Sequence, residues 1–222
     1  EGFEAATRKS GITGICGSGI IEVIAEMYLA GILSSDGVID GAMAAKSPRI
    51  VADGRTFSYV LRDGESEIKI YQTDVRAIQL AKAALYAGAK LLMDRLGLEK
   101  VDRIKLTGAF GSHIDTKYAM ILGMIPDCEL DEVQAVGNAA GIGARIALLN
   151  NSARDEIEEL VKTVEKVETA VEPKFQQYFV EAMAIPHKTA SYPNLSKAVK
   201  MPPPKIISDG GGEGGRRRRR RG

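Results

Sequence analysis

The chain has 222 residues, 45% hydrophobic and 27% charged, with a formal net charge of +1. That composition describes a globular unit with a core, and no stretch approaches the roughly 20 apolar residues that span a bilayer. Nothing resembles a secretory signal. The last arginines carry the balance: without the six at Arg216 to Arg221 the +1 becomes −5, so the remainder is mildly acidic.

In chain order, residues 1–13 read as the tail of a segment that begins upstream. Gly17 and Ser18 open a predicted helix over 17–33, with Ser18 as cap and Ile21, Ile24, Ala25, Tyr28 and Leu29 as its apolar stripe. A turn-rich loop follows, then short strands over 49–53, 56–62 and 67–71, joined at Asp53-Gly54 and Asp63-Gly64. Thr73 caps a long helix over 73–96, closed by Gly97. Its stripe of Ile78, Ala81, Leu85, Gly88, Leu92 and Leu96 is expected to pack on a sheet.

A strand over 101–107 turns on Gly108 and Gly111 into a helix from Thr116, for which Asp115 or Thr116 is the cap. Such a turn lets backbone approach a flat or charged ligand, and a helix N-terminus beyond it offers free N–H donors. A tight turn without a ligand has the same pattern. A short strand over 133–136 precedes a helix over 137–149. Its Gly137, Gly141 and Ala144 recur at spacings of four and three, which suits a closely packed helix pair or a hinge. A charged outer helix over 152–164 follows, then a helix over 173–184 with Phe175, Tyr178, Phe179 and Met183 inward. Strands alternating with helices make the fold class α/β.

The run Leu106-Thr-Gly-Ala-Phe-Gly-Ser112 resembles the adenosine motif of the acetate and sugar kinase, heat-shock chaperone and actin superfamily. Three stretches, 14–22, 73–83 and 108–115, stand in the order and spacing of the reductive activators of corrinoid proteins. The resemblance covers roughly residues 11 to 195 and implies the second, C-terminal half of an actin-like ATPase fold, a mixed sheet flanked by helices. By that resemblance Gly108, Ala109, Gly111 and Ser112 line the adenosine, and Gln79 and Lys82 resemble polar residues around ribose and base. An exposed helix face accounts for the last two equally simply. Gly17, Ser18 and Gly19 form either a phosphate turn or a packing turn, and Gly137, Gly141 and Ala144 mark a hinge helix.

The implied function is ATP-driven re-reduction of the cobalt of a corrinoid protein in methyl-transfer metabolism. ATP with Mg²⁺ is the implied cofactor. A [2Fe–2S] cluster is expected only in an N-terminal module outside this chain, because Cys16 and Cys128 form no cluster or zinc spacing. Both cysteines are expected in the core. The chain reads as a C-terminal fragment that does not turn over ATP alone. The competing reading is a non-enzymatic nucleotide-binding or protein-interaction domain. A corrinoid protein and a second copy are the expected partners, with no membrane and no specific nucleic acid, in the cytoplasm. Residues 1–200 form the expected lobe, and 201–222 a disordered Pro/Gly/Arg tail that binds polyanions nonspecifically. His113, beside the turn, is a local hydrogen-bonding group, and His187 is structural.

Overall fold

The computed structural model describes residue 7, residues 11–111 and 113–203, and residues 205 and 207, without the side chains of 109, 110 and 170. Helix α1, Gly17–Leu29, buries Ile21, Ile24, Ala25, Met27 and Tyr28. Gly31, at φ 71°, ends it. Strands β1 (Ile50–Asp53), β2 (Thr56–Arg62) and β3 (Ile68–Ile70) form an antiparallel sheet in that order. The β1–β2 hairpin pairs Asp53 with Thr56, so its loop is the two residues Gly54 and Arg55. Gly54 takes φ 59°, a left-handed conformation that glycine adopts at little cost.

Helix α2, Gln72–Arg95, is the longest element. Its start is held by Asp74, whose carboxylate accepts the Tyr71 N–H at 2.8 Å; Thr73, expected as the cap, lies inside the helix. Strand β4 (Ile104–Leu106) pairs in parallel with β5 (Val133–Ala135), Leu106 opposite Ala135. Between them lie a single turn α3 (Gly108–Gly111) and α4 (Thr116–Ile121). Asp115 caps α4 by accepting from Lys117 N (2.8 Å) and Tyr118 N (3.3 Å). Helices α5 (Ala139–Leu149), α6 (Asn151–Val161), α7 (Phe175–Glu181) and α8 (Pro193–Ala198) follow. Helix α8 is not among the elements expected from the sequence. The Asp127 carboxylate accepts from Asn194 N and Leu195 N, both at 3.0 Å, and so starts that helix from 67 residues away.

One core runs from α1 through Ile50 and Ile70 to Val75 and Ala83 of α2, the α4 residues Met120 and Ile121, and Ile185 and Leu195 near the end. Two expectations need correction. The α2 stripe faces outward: Leu85 and Leu92 are each 52% exposed and Leu96 is 72% exposed. The face rotated from it, Val75, Gln79, Lys82, Ala83, Tyr86 and Ala87, is the buried one. The tail beyond residue 200 also begins with anchored residues. Met201 packs against the core, and the Lys205 ammonium pairs with the Asp40 carboxylate, which is almost wholly buried. Arg216 to Arg221 lie outside the described residues.

Candidate functional site

At the carboxyl ends of β4 and β5 two glycine turns meet. Gly108 takes φ 96° and Gly137 φ 74°. The Gly108 N–H donates to the Gly137 carbonyl at 2.9 Å, and the Val136 N–H to the Leu106 carbonyl at 2.9 Å, which fixes the turns side by side. A Cβ at either glycine would find no atom within 4 Å. Among the described residues both turns therefore leave room beside the backbone, at the end of parallel strands where α/β folds place ligands. Asn138 caps α5 there, its Oδ1 accepting from Gly141 N at 3.0 Å, so the positive end of that helix lies next to the two turns.

The other expected residues divide. Ala109 lies in α3 next to Gly108, and Ser112 lies outside the described residues. Gly111 is buried, but its φ is not left-handed, and a Cβ there would lie 3.2 Å from the Leu106 carbonyl carbon. That close approach seats α3 on the backbone of β4. Gly137 precedes α5 rather than sharing a face with Gly141 and Ala144, and Ala144 is exposed. Gly17, Ser18 and Gly19 form the first turn of α1, where Cys16, not Ser18, is the N-cap. A Cβ at Gly19 would meet the side chain of Ile15, at Cγ2, at 2.9 Å.

Gln79 and Lys82 are not on an exposed face; each is 1% exposed. Gln79 Nε2 donates to the carbonyls of Asp36 (3.0 Å) and Met183 (2.8 Å). Lys82 Nζ donates to those of Ala184 (2.5 Å) and Pro186 (2.8 Å). Both side chains thus hold the loop 183–187 against α2. Burial pulls the Lys82 ammonium down to about 7, against which the two carbonyls favour the charged form. Sequence reasoning could not find these partners, about 100 residues away, because carbonyl acceptors belong to every residue alike.

His187 completes this loop. Its Nδ1 accepts from Ala190 N (2.9 Å) and Thr189 N (3.2 Å), and its ring centroid lies 4.6 Å from that of Tyr86. Burial, then the Lys82 charge, lower its pKa to about 4, with Glu181 opposing. The unfolded chain takes up a proton near pH 6.5 while the folded one resists until about 4. Stability should therefore fall as pH drops through that window, since the unfolded state binds more protons there. Urea midpoints at pH 7 and pH 5 measure this, and His187→Asn should flatten the difference; an unchanged slope in that variant would assign it to other groups.

The cysteines also divide. Cys128 is buried, and burial raises its thiol pKa. Cys16 is exposed, contrary to expectation; its Sγ lies 3.3 Å from Ser18 Oγ, and that contact, with the Gly19 N–H, lowers its pKa. Among the described residues no group of three His, Cys, Asp or Glu side chains is placed to hold a metal ion.

Residues 3–196 match the family described as the C-terminal domain of RACo, the ASKHA domain. The chain belongs to that family. It is 34% identical over 184 residues to the corrinoid activation enzyme RamQ of Eubacterium limosum, across 78% of this chain and 31% of that protein. A solved structure titled reductive activator for corrinoid,iron-sulfur protein superposes with a TM-score of 0.69 at 33% identity, over 81% of this chain and 30% of that one. The fold is thus the actin-like ASKHA fold, and the chain spans about a third of the length of these relatives. No helix of the described residues is long and apolar enough to cross a membrane.

Proposed function

We propose that this chain is the nucleotide-binding lobe of an ATP-dependent reductive activator, which returns the cobalt of a corrinoid protein to its reduced state. The observation that carries the reading is the paired turn of Gly108 and Gly137, two glycines at positive φ joined by a hydrogen bond at the ends of parallel strands, in a chain of the ASKHA family. That cradle fits a nucleotide: a flat base or ribose can lie on it where a side chain would collide. ATP, when bound, supplies the free energy that makes an unfavourable one-electron reduction proceed.

The residues of this chain do the holding. The Gly108–Gly137 hydrogen bond holds the two turns side by side, and Gly111 seats α3 against the Leu106 backbone. Asn138 ends the α5 ladder so that its positive pole lies beside the bound group. Asp115 is committed to capping α4 and is not offered as a base. Gln79 and Lys82 enter the reading as supports, holding the loop 183–187 rather than the ribose. Electrons would come from an iron–sulfur module outside this chain, which contains two cysteines in all. The clamp on a transferring phosphoryl group needs charges converging from both sides of it. This chain alone is therefore expected to bind nucleotide without sustained turnover.

Titration with a fluorescent ATP analogue tests the reading. Gly108→Val puts a branched side chain into the crevice and should weaken binding at least tenfold, about 1.4 kcal/mol, with the circular dichroism spectrum preserved. Gly111→Ala should lower the melting temperature and leave affinity nearly unchanged. A folded Gly108→Val protein that binds as tightly as the parent would reduce the paired turn to a structural element.

A further inference from the structure

From Ala77 to Leu92 the outward face of α2 carries no charge. Ala77, Ala81, Leu85, Gly88, Leu92 and Leu96 share one side of the helix, within an arc of about 100° and over a length of about 29 Å. Leu85 and Leu92 are each 52% exposed, Leu96 is 72% exposed, and both alanines are exposed as well. At Gly88 the surface is a notch: φ is ordinary for a helix, and no atom lies within 4 Å of its Cβ position. Single exposed leucines are normal, but a continuous apolar strip of this length marks a contact surface. Residue size is graded along it. Alanines fill the first half and leucines the second, while Leu85 and Gly88 stand one turn apart at the middle.

Such an order is the complement of its own reverse. We propose that two copies of this chain pair through α2, the helices antiparallel about a two-fold axis between Tyr86 and Ala87. This register sets Ala77 opposite Leu96 of the second copy, Ala81 opposite its Leu92 and Leu85 opposite its Gly88, and the axis repeats each pairing. Every leucine then enters a gap where the facing helix has no bulk, as close packing requires. A parallel pair would set Leu85 on Leu85, Leu92 on Leu92 and Gly88 on Gly88, crowding some levels and emptying others. Charge selects the same direction. Asp74 stands before the strip and Arg95 at its far end; antiparallel helices bring each to its opposite, parallel ones to its like. Arg95 donates from Nη2 to Glu172, and among the described residues its other nitrogens have no partner. Area sets the crossing angle. A specific interface buries about 1,200 Å² or more in total, and narrow strips approach that only by lying along each other at a shallow angle of about 20°. Interfaces of that size are the weak, reversible ones. None of these residues belongs to the glycine turns, so the inference stands apart from the nucleotide reading.

Sedimentation velocity on the protein from about 1 to about 100 μM decides it. A concentration-dependent dimer is expected. Gly88→Leu should leave the monomer at least as stable as the parent, because a helix gains from losing a glycine and the space is open. In the pair that side chain collides with Leu85 of the other copy, and the dissociation constant should rise at least tenfold. Leu92→Glu should do the same with an unchanged circular dichroism spectrum. Leu160→Glu, on a second exposed apolar stripe in α6, should leave the dimer intact. Cross-linking reads the register. With exposed Cys16 replaced by serine, Ala81→Cys protein mixed with Leu92→Cys protein should form a disulfide-linked pair on oxidation, and neither should do so alone. A monomer at every concentration leaves the strip to some other partner and overturns the proposal. So does a dimer that is indifferent to Gly88→Leu, that is lost with Leu160→Glu, or that cross-links in the unmixed samples.

Discussion

Lys82→Ala should be among the most damaging single changes in this protein, although among the described residues no carboxylate pairs with the lysine. The substitution strands the carbonyls of Ala184 and Pro186, which the ammonium reaches at 2.5 and 2.8 Å, and empties the volume of a side chain that is 1% exposed. A lost partner for a buried polar group costs about 1–3 kcal/mol and the cavity adds to it, for a total of roughly 3–5 kcal/mol. At about 2–4 °C per kcal/mol for a chain of this size, the melting temperature should fall by roughly 10 °C or more. Lys82→Met, which keeps the stem and loses the donor, should fall in between. Thermal and urea melts of the three proteins measure the ladder. A loss under about 1 kcal/mol in Lys82→Ala would mean that the carbonyls find water or another donor at once.

Gly123→Ala should be as severe for a different reason. Gly123 follows α4 at φ 72°, its N–H donating to Met120 O (2.9 Å) while Met124 N–H reaches Ala119 O (2.9 Å), the paired closure of a helix end on a left-handed glycine. A Cβ there would lie 1.9 Å from the Pro186 carbonyl oxygen. Two stretches of backbone cannot separate as a flexible side chain would, so the 183–187 loop or the α4 end must move. The penalty is several kcal/mol, the left-handed strain of about 1 kcal/mol being the smaller part. Gly97→Ala is the control: φ is 66° there too, but no atom lies within 4 Å of its Cβ position. It should cost only the strain. Equal melting temperatures for the two variants would show that the close approach to Pro186 relaxes freely.

The strands and most helices were legible because their signals are local. Gly54 and Gly97 lie at the turns they announced, and Asp115 caps the helix it precedes. The turn at Gly108 was legible for the same reason, whereas Gly137, expected in a hinge helix, is a second positive-φ turn that precedes α5. What failed was the choice of buried face on α2. Leu85 and Leu92 look like core residues, whereas Gln79 and Lys82 look like surface, and the fold reverses them. The reversal depends on carbonyls of residues 36, 183, 184 and 186, which no periodicity within α2 can report. At Gly111 the structure adds a packing reason that the sequence pattern does not carry. Its neighbour is the backbone of Leu106, and only coordinates distinguish packing from ligand clearance.

The loop 183–187 also sets a schedule. Its bonds to Gln79 and Lys82 join residues 102 to 104 positions apart, so α2 leaves the ribosome well before the carbonyls that neutralise its polar face exist. Until then the lysine remains hydrated, and the helix has no reason to choose which side to bury. At synthesis rates of about 5–20 residues per second the wait is several seconds or more. Contacts of such long sequence separation form late in any folding route. The nascent domain should thus stay open to proteases and chaperones through most of its translation, and lock only as its final elements emerge.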